Sequence, residues 1–396
     1  MDYDVIIIGG GPVGSSLAYK LVQKNLKVGI VDKKKHIGLP LQCAGIVSND
    51  LKNYNDIPNE CILNEVKGAY IHSQNENLKV QKDENVALII DRVRYDQWLF
   101  QRAANSGVDV FCESKVHNID IEEGIVYFKD KQLSSKVIVG ADGYNSVVSK
   151  VMGNESNYYK ATQYLVKIDN FNLSSDYVNL FILAEFLPGF LWFIPVKENV
   201  YRVGLFSRYV FKNQCGFLDD FLNSAGIFKD SNLDLNGIEI LQKYKGYIPI
   251  YDEDKQLVKD RAILIGDAAS QIKPTTGGGL VLSFKLLDTA CDAILKSITN
   301  EDITLLKNYE LEFMDKFSKE LSYEMKVHKS LDSLSNKALD YLLKKLKKYD
   351  GENLISTYGD MDNQMVLIKE FFKRGLILKL IPSLFKNKIS NIWNIK

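Results

Sequence analysis

The sequence predicts an α/β fold: a doubly wound, Rossmann-like domain interleaved with an antiparallel-sheet domain and followed by a helical region. Three observations predict it. Residues 1 to 32 read strand, glycine turn, helix, strand, acid. Short apolar runs suited to buried strands return at 137–139 and 262–265. Between them, from Ala161 to Ile250, apolar stretches alternate as in an antiparallel sheet. The expected division is 1–160 with 251–300 for the first domain, 161–250 for the second and 301–396 for the helical region. Residues 66–90 are expected to contribute to the second domain's side.

The opening stretch carries the strongest signal. Val5-Ile6-Ile7-Ile8 suits a buried parallel strand. Gly9-Gly10-Gly11-Pro12-Val13-Gly14 follows, then an amphipathic segment from Ser15 to Asn25, then a strand from Lys27 to Val31. Gly9 permits the tight turn, Gly11 lets backbone approach a pyrophosphate, and Gly14 lets helix and sheet pack closely. Free amides at the helix start face the phosphates. Asp32 lies 23 residues past Gly9, where its carboxylate can accept bonds from an adenosine ribose. A plain glycine-rich turn does not need an acid at that spacing. The motif serves FAD and other dinucleotides equally.

Charge is balanced, 50 basic against 50 acidic side chains, so nothing argues for a nucleic-acid partner. No apolar run reaches 18 residues, and no signal or transit segment is expected. Five scattered cysteines without a CxxC pair fit a reducing compartment and no metal site.

Gly38 and Pro40 punctuate a loop that leads to the small-residue stretch Cys43-Ala44-Gly45, able to pass close to a bound ring. Val66 to Ser73 and Asn85 to Ile90 read as strands, and Tyr95 to Ser106 as a helix. Arg92 falls at that strand-to-helix junction, either meeting phosphate or ribose or lying on the surface. Residues 113–135 read as a hairpin-rich ribbon. Lys136 to Gly143 is a strand entering a glycine-acid turn, followed by a helix from Ser146 to Met152. Asp142 either bonds to backbone around the first glycine loop or touches ligand.

In the second domain the strands expected are Thr162–Ile168, Tyr177–Leu183, Gly189–Pro195, Tyr201–Phe206 and Tyr244–Ile250, with a helix from Val210 to Ala225. With period 2, Phe190, Trp192 and Ile194 share one face. They line an apolar cavity or form plain sheet core. The first domain then returns with Ile265-Gly266-Asp267-Ala268-Ala269 and the glycine run Gly277-Gly278-Gly279-Leu280, leading into a helix from Val281 to Ile298. Asp267 can bond a ribityl hydroxyl. The glycines let backbone lie beside an isoalloxazine, where negative charge on the reduced ring would be stabilised. An NAD enzyme needs no such second signature, so the pair points to FAD.

Leu305–Lys319 and Asn336–Lys347 have helical periodicity. From Val366 to Lys396, seven basic side chains (369, 373, 374, 379, 386, 388, 396) face one Glu (370). That stretch is either an anchor on anionic lipid or a helix packed on the protein.

These motifs together resemble the archaeal geranylgeranyl reductase family, of the digeranylgeranylglycerophospholipid reductase type, within the FAD-dependent aromatic-hydroxylase-like flavoproteins. The likeness spans roughly residues 1–300 and, more loosely, the tail. Gly9, Gly11, Gly14 and Asp32 match the FAD turn, which usually carries Glu in place of this Asp. Pro40-Leu41-Gln42-Cys43-Ala44-Gly45 resembles the family's cysteine loop over the flavin. Asp91-Arg92 with Tyr95-Asp96 is similar to its acid-arginine, aromatic-aspartate element. Gly140-Ala141-Asp142-Gly143, Gly266-Asp267-Ala268-Ala269 and Gly277-Gly278-Gly279 match the group's later motifs. The substrate-side motif is looser: Phe190 replaces a usual Tyr, Ile194 a Phe, and Phe206 stands where a second glycine is common after Gly204.

The resemblance implies a Rossmann-like FAD-binding domain of the aromatic-hydroxylase type, a substrate domain and a C-terminal helical region. The implied reaction saturates isolated double bonds of geranylgeranyl chains on archaeal ether lipids. Such an alkene needs protonation together with hydride from reduced flavin, and the incipient cation would be eased by the Trp192 and Phe190 faces. Cys43 is the candidate catalytic residue, as proton donor or orienting group, against the reading of a small buried filler. The implied cofactor contacts are Gly9, Gly11, Pro12, Gly14, Asp32, Cys43, Ala44, Gly45, Arg92, Val116, Asp142, Asp267, Gly278, Gly279 and Leu280; substrate contacts are Phe190, Trp192 and Ile194. The electron donor is ferredoxin, NAD(P)H or a quinol. A cytoplasmic monomer is expected, with or without peripheral contact at the membrane face. The competing readings are a flavin monooxygenase or epoxidase and a membrane-associated flavoprotein electron carrier.

Overall fold

The computed structural model describes residues 1–168, 174–208, 213–223 and 238–376. The chain divides into two units: Met1–Cys61 with Ile90–Tyr158 and Tyr247–Ser322, and Ile62–Ile89 with Tyr159–Gly246 and Tyr323 onward. The tail, read from sequence as one region, is shared between them at Ser322.

The first unit is built on the strands β1 (Tyr3–Ile8), β2 (Val28–Val31), β3 (Asp109–Phe111), β4 (Lys131–Gly140) and β5 (Ala262–Leu264). Their spatial order is β3-β2-β1-β4-β5, all parallel. Val5, Ile6 and Ile7 of β1 are wholly buried, as the central strand of a sheet covered on both faces requires. The order reverses between β1 and β4, and the crevice outside the carboxyl ends of those strands is where a doubly wound sheet receives its ligand. The first half of β4 turns antiparallel and pairs with Ile125–Phe128, which pairs with Val116–Asp120, giving the expected ribbon.

The helices start where the local chemistry starts them. Helix α1 (Pro12–Val22) begins ahead of the expected Ser15. Pro12 at its first position presets φ and lacks only an amide that the helix would leave unused. Helix α2 (Arg92–Asn105) begins at Arg92 and not at Tyr95. The Asp91 carboxylate accepts the amides of Val93 and Arg94, each at 3.1 Å, and so caps the earlier turn. The long helix expected over 281–298 is two, α3 (Leu280–Lys285) and α4 (Leu287–Thr299). The backbone flattens at Leu286 to φ −96° and ψ −5°.

The second unit is a seven-stranded sheet in the order Ile238–Pro249, Tyr158–Ile168, Val200–Ser207, Leu191–Lys197, Tyr177–Phe181, Gly68–His72, Asn77–Gln81. Tyr177–Phe181 and Gly68–His72 run parallel, because the hairpin 68–81 arrives from far upstream. Three expectations change here. The strand Val66–Ser73 is two, Ile62–Val66 and Gly68–His72. Asn77–Gln81, between the two expected strands, is itself a strand; its alternation buries Leu78. The last strand begins at Ile238, and its added half is exposed, so it shows no apolar pattern.

The helix Gln214–Asn223 covers one face, packing Leu218, Phe221 and Leu222 with Tyr164, Phe181, Phe193 and Val203. The ends of the expected helix 210–225 lie outside the described residues. Helices Asn336–Lys348 and Gly351–Tyr358 close the edge strand Asn77–Gln81. Glu352 accepts the amide of Lys79 at 2.8 Å and the Ser356 hydroxyl that of Gln81 at 3.0 Å. Asp340 accepts from the Ser73 hydroxyl and from the amide and side chain of Asn75.

One buried histidine sets a pH dependence in this unit. His328, on the helix Lys319–Leu331, is 2% exposed and shares a 2.8 Å hydrogen bond with the Tyr159 hydroxyl. Burial, then the cations Arg208 and Lys329, push its imidazole down to about 4. The unfolded chain takes up that proton first, near 6.5. Stability present above pH 6.5 is therefore lost as pH falls toward 4, by roughly 3 kcal/mol at full extent. His328→Gln keeps a bonding partner but does not titrate. Its urea midpoint is expected to fall less than the wild-type one between pH 6.5 and 4; parallel curves would refute this.

The basic end is described only in part. In Met365–Lys373 and its continuation, Phe371 and Leu376 pack at Leu354, while Lys373 and Arg374 pair with Glu370. Positions 379, 386, 388 and 396 lie outside the described residues. Among the described residues, no helix is long and apolar enough to cross a membrane, and no group of His, Cys, Asp and Glu could hold a metal ion.

Candidate functional site

The glycine turn brings β1 and β4 together through bare backbone. Gly9 has φ +106°, and a Cβ there would stand 2.3 Å from the Ala141 carbonyl oxygen. A Cβ on Gly14 would stand 2.1 Å from the Gly9 oxygen. Gly11 differs: nothing lies within 4 Å of where its Cβ would be. Its backbone borders open space beside the first amides of α1, which no side chain caps. That space and those donors fit a pyrophosphate, with Pro12 half-buried next to it.

Asp32 closes this end. One carboxylate oxygen accepts the Gly10 amide and the other the Lys34 amide, both at 2.7 Å. The carboxylate is thus locked at the mouth of the turn with lone pairs to spare. The Ser114 amide bonds the Asp32 carbonyl at 2.8 Å, which brings the segment leading to buried Val116 alongside. Lys34 is a neighbour that sequence reasoning missed. Burial lowers its pKa against the pull of Asp32 and Asp96.

Asp142 does not bond the glycine loop. It accepts the Val147 amide at 2.6 Å and caps the short helix Val147–Val151. The crossings are pinned by backbone, with the Ala141 amide donating to the Ile8 carbonyl at 2.8 Å. Burial pushes the Asp142 carboxyl up, while bonds from Ser146 and the Val147 amide pull it down.

Charges from three parts of the sequence act on Arg92. Its guanidinium forks onto Asp96, Nε to one oxygen at 2.9 Å and a terminal nitrogen to the other at 3.1 Å. Burial works against its charge, and Asp96, then Cys43, then Asp267 hold it above the ordinary arginine value. Cys43 is half-buried, and its sulfur accepts the Gly45 amide at 3.3 Å; the Gly45 carbonyl in turn accepts the Ile90 amide at 2.7 Å. Asp96 was legible one helical turn from Arg92.

Asp267 reaches solvent. Burial pushes its carboxyl up and Arg92 pulls it down. Gly277 has φ +73°. A Cβ on Gly279 would stand 2.9 Å from the Gln271 carbonyl oxygen and 3.5 Å from Asp267 Oδ1. Leu280, half-buried, starts α3. Gln271 and Tyr309 brace this loop: Gln271 accepts the Gly266 amide at 2.9 Å and donates to the Tyr309 hydroxyl. Nothing in the sequence pairs those two.

The expected substrate residues belong to the second unit. Trp192 lies opposite Gly204 in the sheet register, and a Cβ on Gly204 would stand 2.6 Å from the indole. The indole N–H donates to the Gln163 side chain at 2.9 Å. Phe206 packs edge-on against Phe190, ring centroids 5.0 Å apart. Trp192 and Ile194 are 6% and 2% exposed, so of the three only half-buried Phe190 offers surface to solvent.

The family model described as "Lycopene cyclase protein" matches residues 4–376. The uncharacterized protein MJ1520 of Methanocaldococcus jannaschii is 33% identical over 374 residues, covering 92% of this chain and 94% of that protein. Digeranylgeranylglycerophospholipid reductase 1 of Methanococcoides burtonii is 27% identical over 417 residues, covering 100% and 94%. Among solved structures, a geranylgeranyl bacteriochlorophyll reductase-like protein from Thermoplasma acidophilum superposes with a TM-score of 0.82 at 22% identity, over 98% of each chain. The halogenase PltM in complex with phloroglucinol and FAD gives 0.69 at 15% identity, over 90% of this chain and 82% of that one. The chain belongs to the lycopene cyclase protein family; over nearly its whole length it is similar to archaeal digeranylgeranylglycerophospholipid reductases, and it shares the fold of the two solved structures.

Proposed function

We propose that this protein is an FAD-dependent reductase that saturates isolated double bonds of geranylgeranyl chains on ether lipids. One observation carries the reading: the likeness to the M. burtonii reductase runs the whole length of the chain, cofactor half and sheet half alike. FAD suits the first unit because open space at Gly11 and a solvent-reaching acid, Asp267, beside the bare backbone of Gly279 offer a place to both of its ends. When bound, FAD supplies the hydride chemistry. The chain's own residues do the rest. Amides after Gly11 hold the pyrophosphate, Asp32 the adenosine ribose, and Asp267 with Gly278 and Gly279 the ring end. Cys43, beside Arg92, is the group placed to give or orient the proton. Phe190 offers a π-face to positive charge on carbon, backed edge-on by Trp192, whose indole Gln163 holds still.

Electrons come from a reduced ferredoxin, NAD(P)H or a quinol, and peripheral contact with a membrane suits a lipid substrate. The test is anaerobic. Photoreduced holoprotein is titrated with geranylgeranyl lipids of different head group, and return of the 450 nm band is followed. Reoxidation by these lipids, with saturated product, is expected. No reoxidation by any of them, or product formed only with oxygen consumption, would refute the reading. Cys43→Ala should slow the reoxidation about 100-fold or more if its thiol gives the proton.

A further inference from the structure

The turn that carries the ring-end acid passes through a backbone conformation that side chains seldom adopt. Ser270, three residues after Asp267, lies in the left-handed region at φ 54° and ψ 30°, where residues other than glycine are uncommon. Such a residue persists only where its surroundings hold it. Two sets of bonds do so. Within the turn, the Ser270 amide donates to the Asp267 carbonyl and the Gln271 amide to the Gly266 carbonyl, both at 3.1 Å. From outside it, Lys255 Nζ donates to the Ser270 hydroxyl oxygen at 3.0 Å.

The outside bond is a costly one to build. Lys255 is 8% exposed and Ser270 4%, and an ammonium taken out of water needs partners. Burial lowers the pKa of Lys255, and Asp252 and Asp142 support its charge. Lys255 stands ahead of β5 in the sequence and Ser270 after it, so the bond spans the strand that delivers Asp267. The Gln271–Tyr309 brace fixes the next residue along; Lys255 fixes the strained one itself. The closeness of Asp267 Oδ1 to the bare backbone of Gly279, 3.5 Å from where a Cβ would stand, follows from the shape of this turn.

Resting on the FAD reading above, we propose that Lys255 is a positioning residue: by gripping Ser270 it sets the turn from which the Asp267 carboxylate meets the ring end of the flavin.

The test reads the flavin and not turnover. FAD affinity of the apoprotein is measured by fluorescence quenching, and the geometry about the bound ring by visible-region circular dichroism. Lys255→Met and Ser270→Ala are each expected to weaken FAD about tenfold, the worth of one hydrogen bond to a charged group. Both should alter the dichroism of the bound flavin in the same way. Combined, they should weaken FAD no further than either alone. Ser270→Gly needs no grip, because glycine enters the left-handed region freely; adding Lys255→Met to it should cost less than about twofold. Wild-type FAD affinity and dichroism in Lys255→Met, with only a lower urea midpoint, would overturn the proposal and leave the lysine a structural residue. So would effects of Lys255→Met and Ser270→Ala that multiply, or an undiminished loss on top of Ser270→Gly; either would place the lysine's effect at Asp142. Should Lys255→Met not fold, Ser270→Ala decides alone, and wild-type affinity and dichroism there would overturn the proposal. A wild-type holoprotein that no prenyl lipid reoxidises would end the reductase reading and leave this one standing; a wild type that binds no FAD would end both.

Discussion

Gly14→Val is expected to yield protein that purifies colourless and takes up no added FAD. The first atom of any side chain at position 14 would fall 2.1 Å from the Gly9 carbonyl oxygen and 3.0 Å from Ala141 Cβ. Neither can yield, because both belong to the backbone junction that joins β1, α1 and β4. The helix must back away from the sheet, and its first amides leave the space beside Gly11. Overpacking a close contact costs about 1–3 kcal/mol, and a clash with backbone should sit at or above the top of that range. The checks are the 450 nm to 280 nm absorbance ratio and a urea melt of the apoprotein. A variant that keeps stoichiometric FAD would refute the claim that this junction sets the phosphate site.

Arg92→Met is expected to destabilise the fold by about 3–5 kcal/mol at neutral pH, the range for removing one partner of a buried ion pair. Both side chains of the Arg92–Asp96 pair are little exposed, 13% and 11%. The loss should depend on pH with a definite sign. Burial already raises the Asp267 carboxyl, and Arg92 opposes that rise. Without the arginine the folded state holds this proton to higher pH than the unfolded chain does. A group raised in this way favours folding below its unfolded value, and that advantage drains away as pH climbs through the folded one. The deficit of the variant against wild type should therefore be larger at pH 7.5 than at pH 4.5. Equal deficits in urea melts at the two values would show that Arg92 does not act on Asp267. Arg92→Lys keeps the charge but not the two-pronged geometry, and should fall between.

The parts of this molecule that the sequence announces are those governed by short-range rules. Gly9, Gly11, Gly14 and Asp32 stand within one strand-helix-strand unit, and spacing alone locates them. Trp192 and Ile194 stand two apart on one strand, opposite Gly204 and Arg202; Phe190 precedes that strand. What escaped was set by contacts across long stretches of chain. Gln271 meets Tyr309 38 residues later, and Tyr159 meets His328 169 residues later. No local pattern encodes either. The strand Asn77–Gln81 was hidden for a different reason: two apolar residues between polar ones are too few to stand out from a loop. Asp142 was read as either a tie to the first loop or a ligand contact; its own helix start, five residues on, is the nearer customer for a carboxylate.

The last-made helices finish something begun very early. The outward amides of Lys79 and Gln81 find their acceptors only in Glu352 and Ser356, 273 and 275 residues further along. At about 5–20 residues per second, a ribosome needs roughly 15–55 s to cover that distance. Through that interval the nascent strand displays unanswered donors to any other extended chain nearby. A message truncated before codon 352 would leave the exposure permanent, so chains shortened there should self-associate more than chains that carry Glu352 and Ser356.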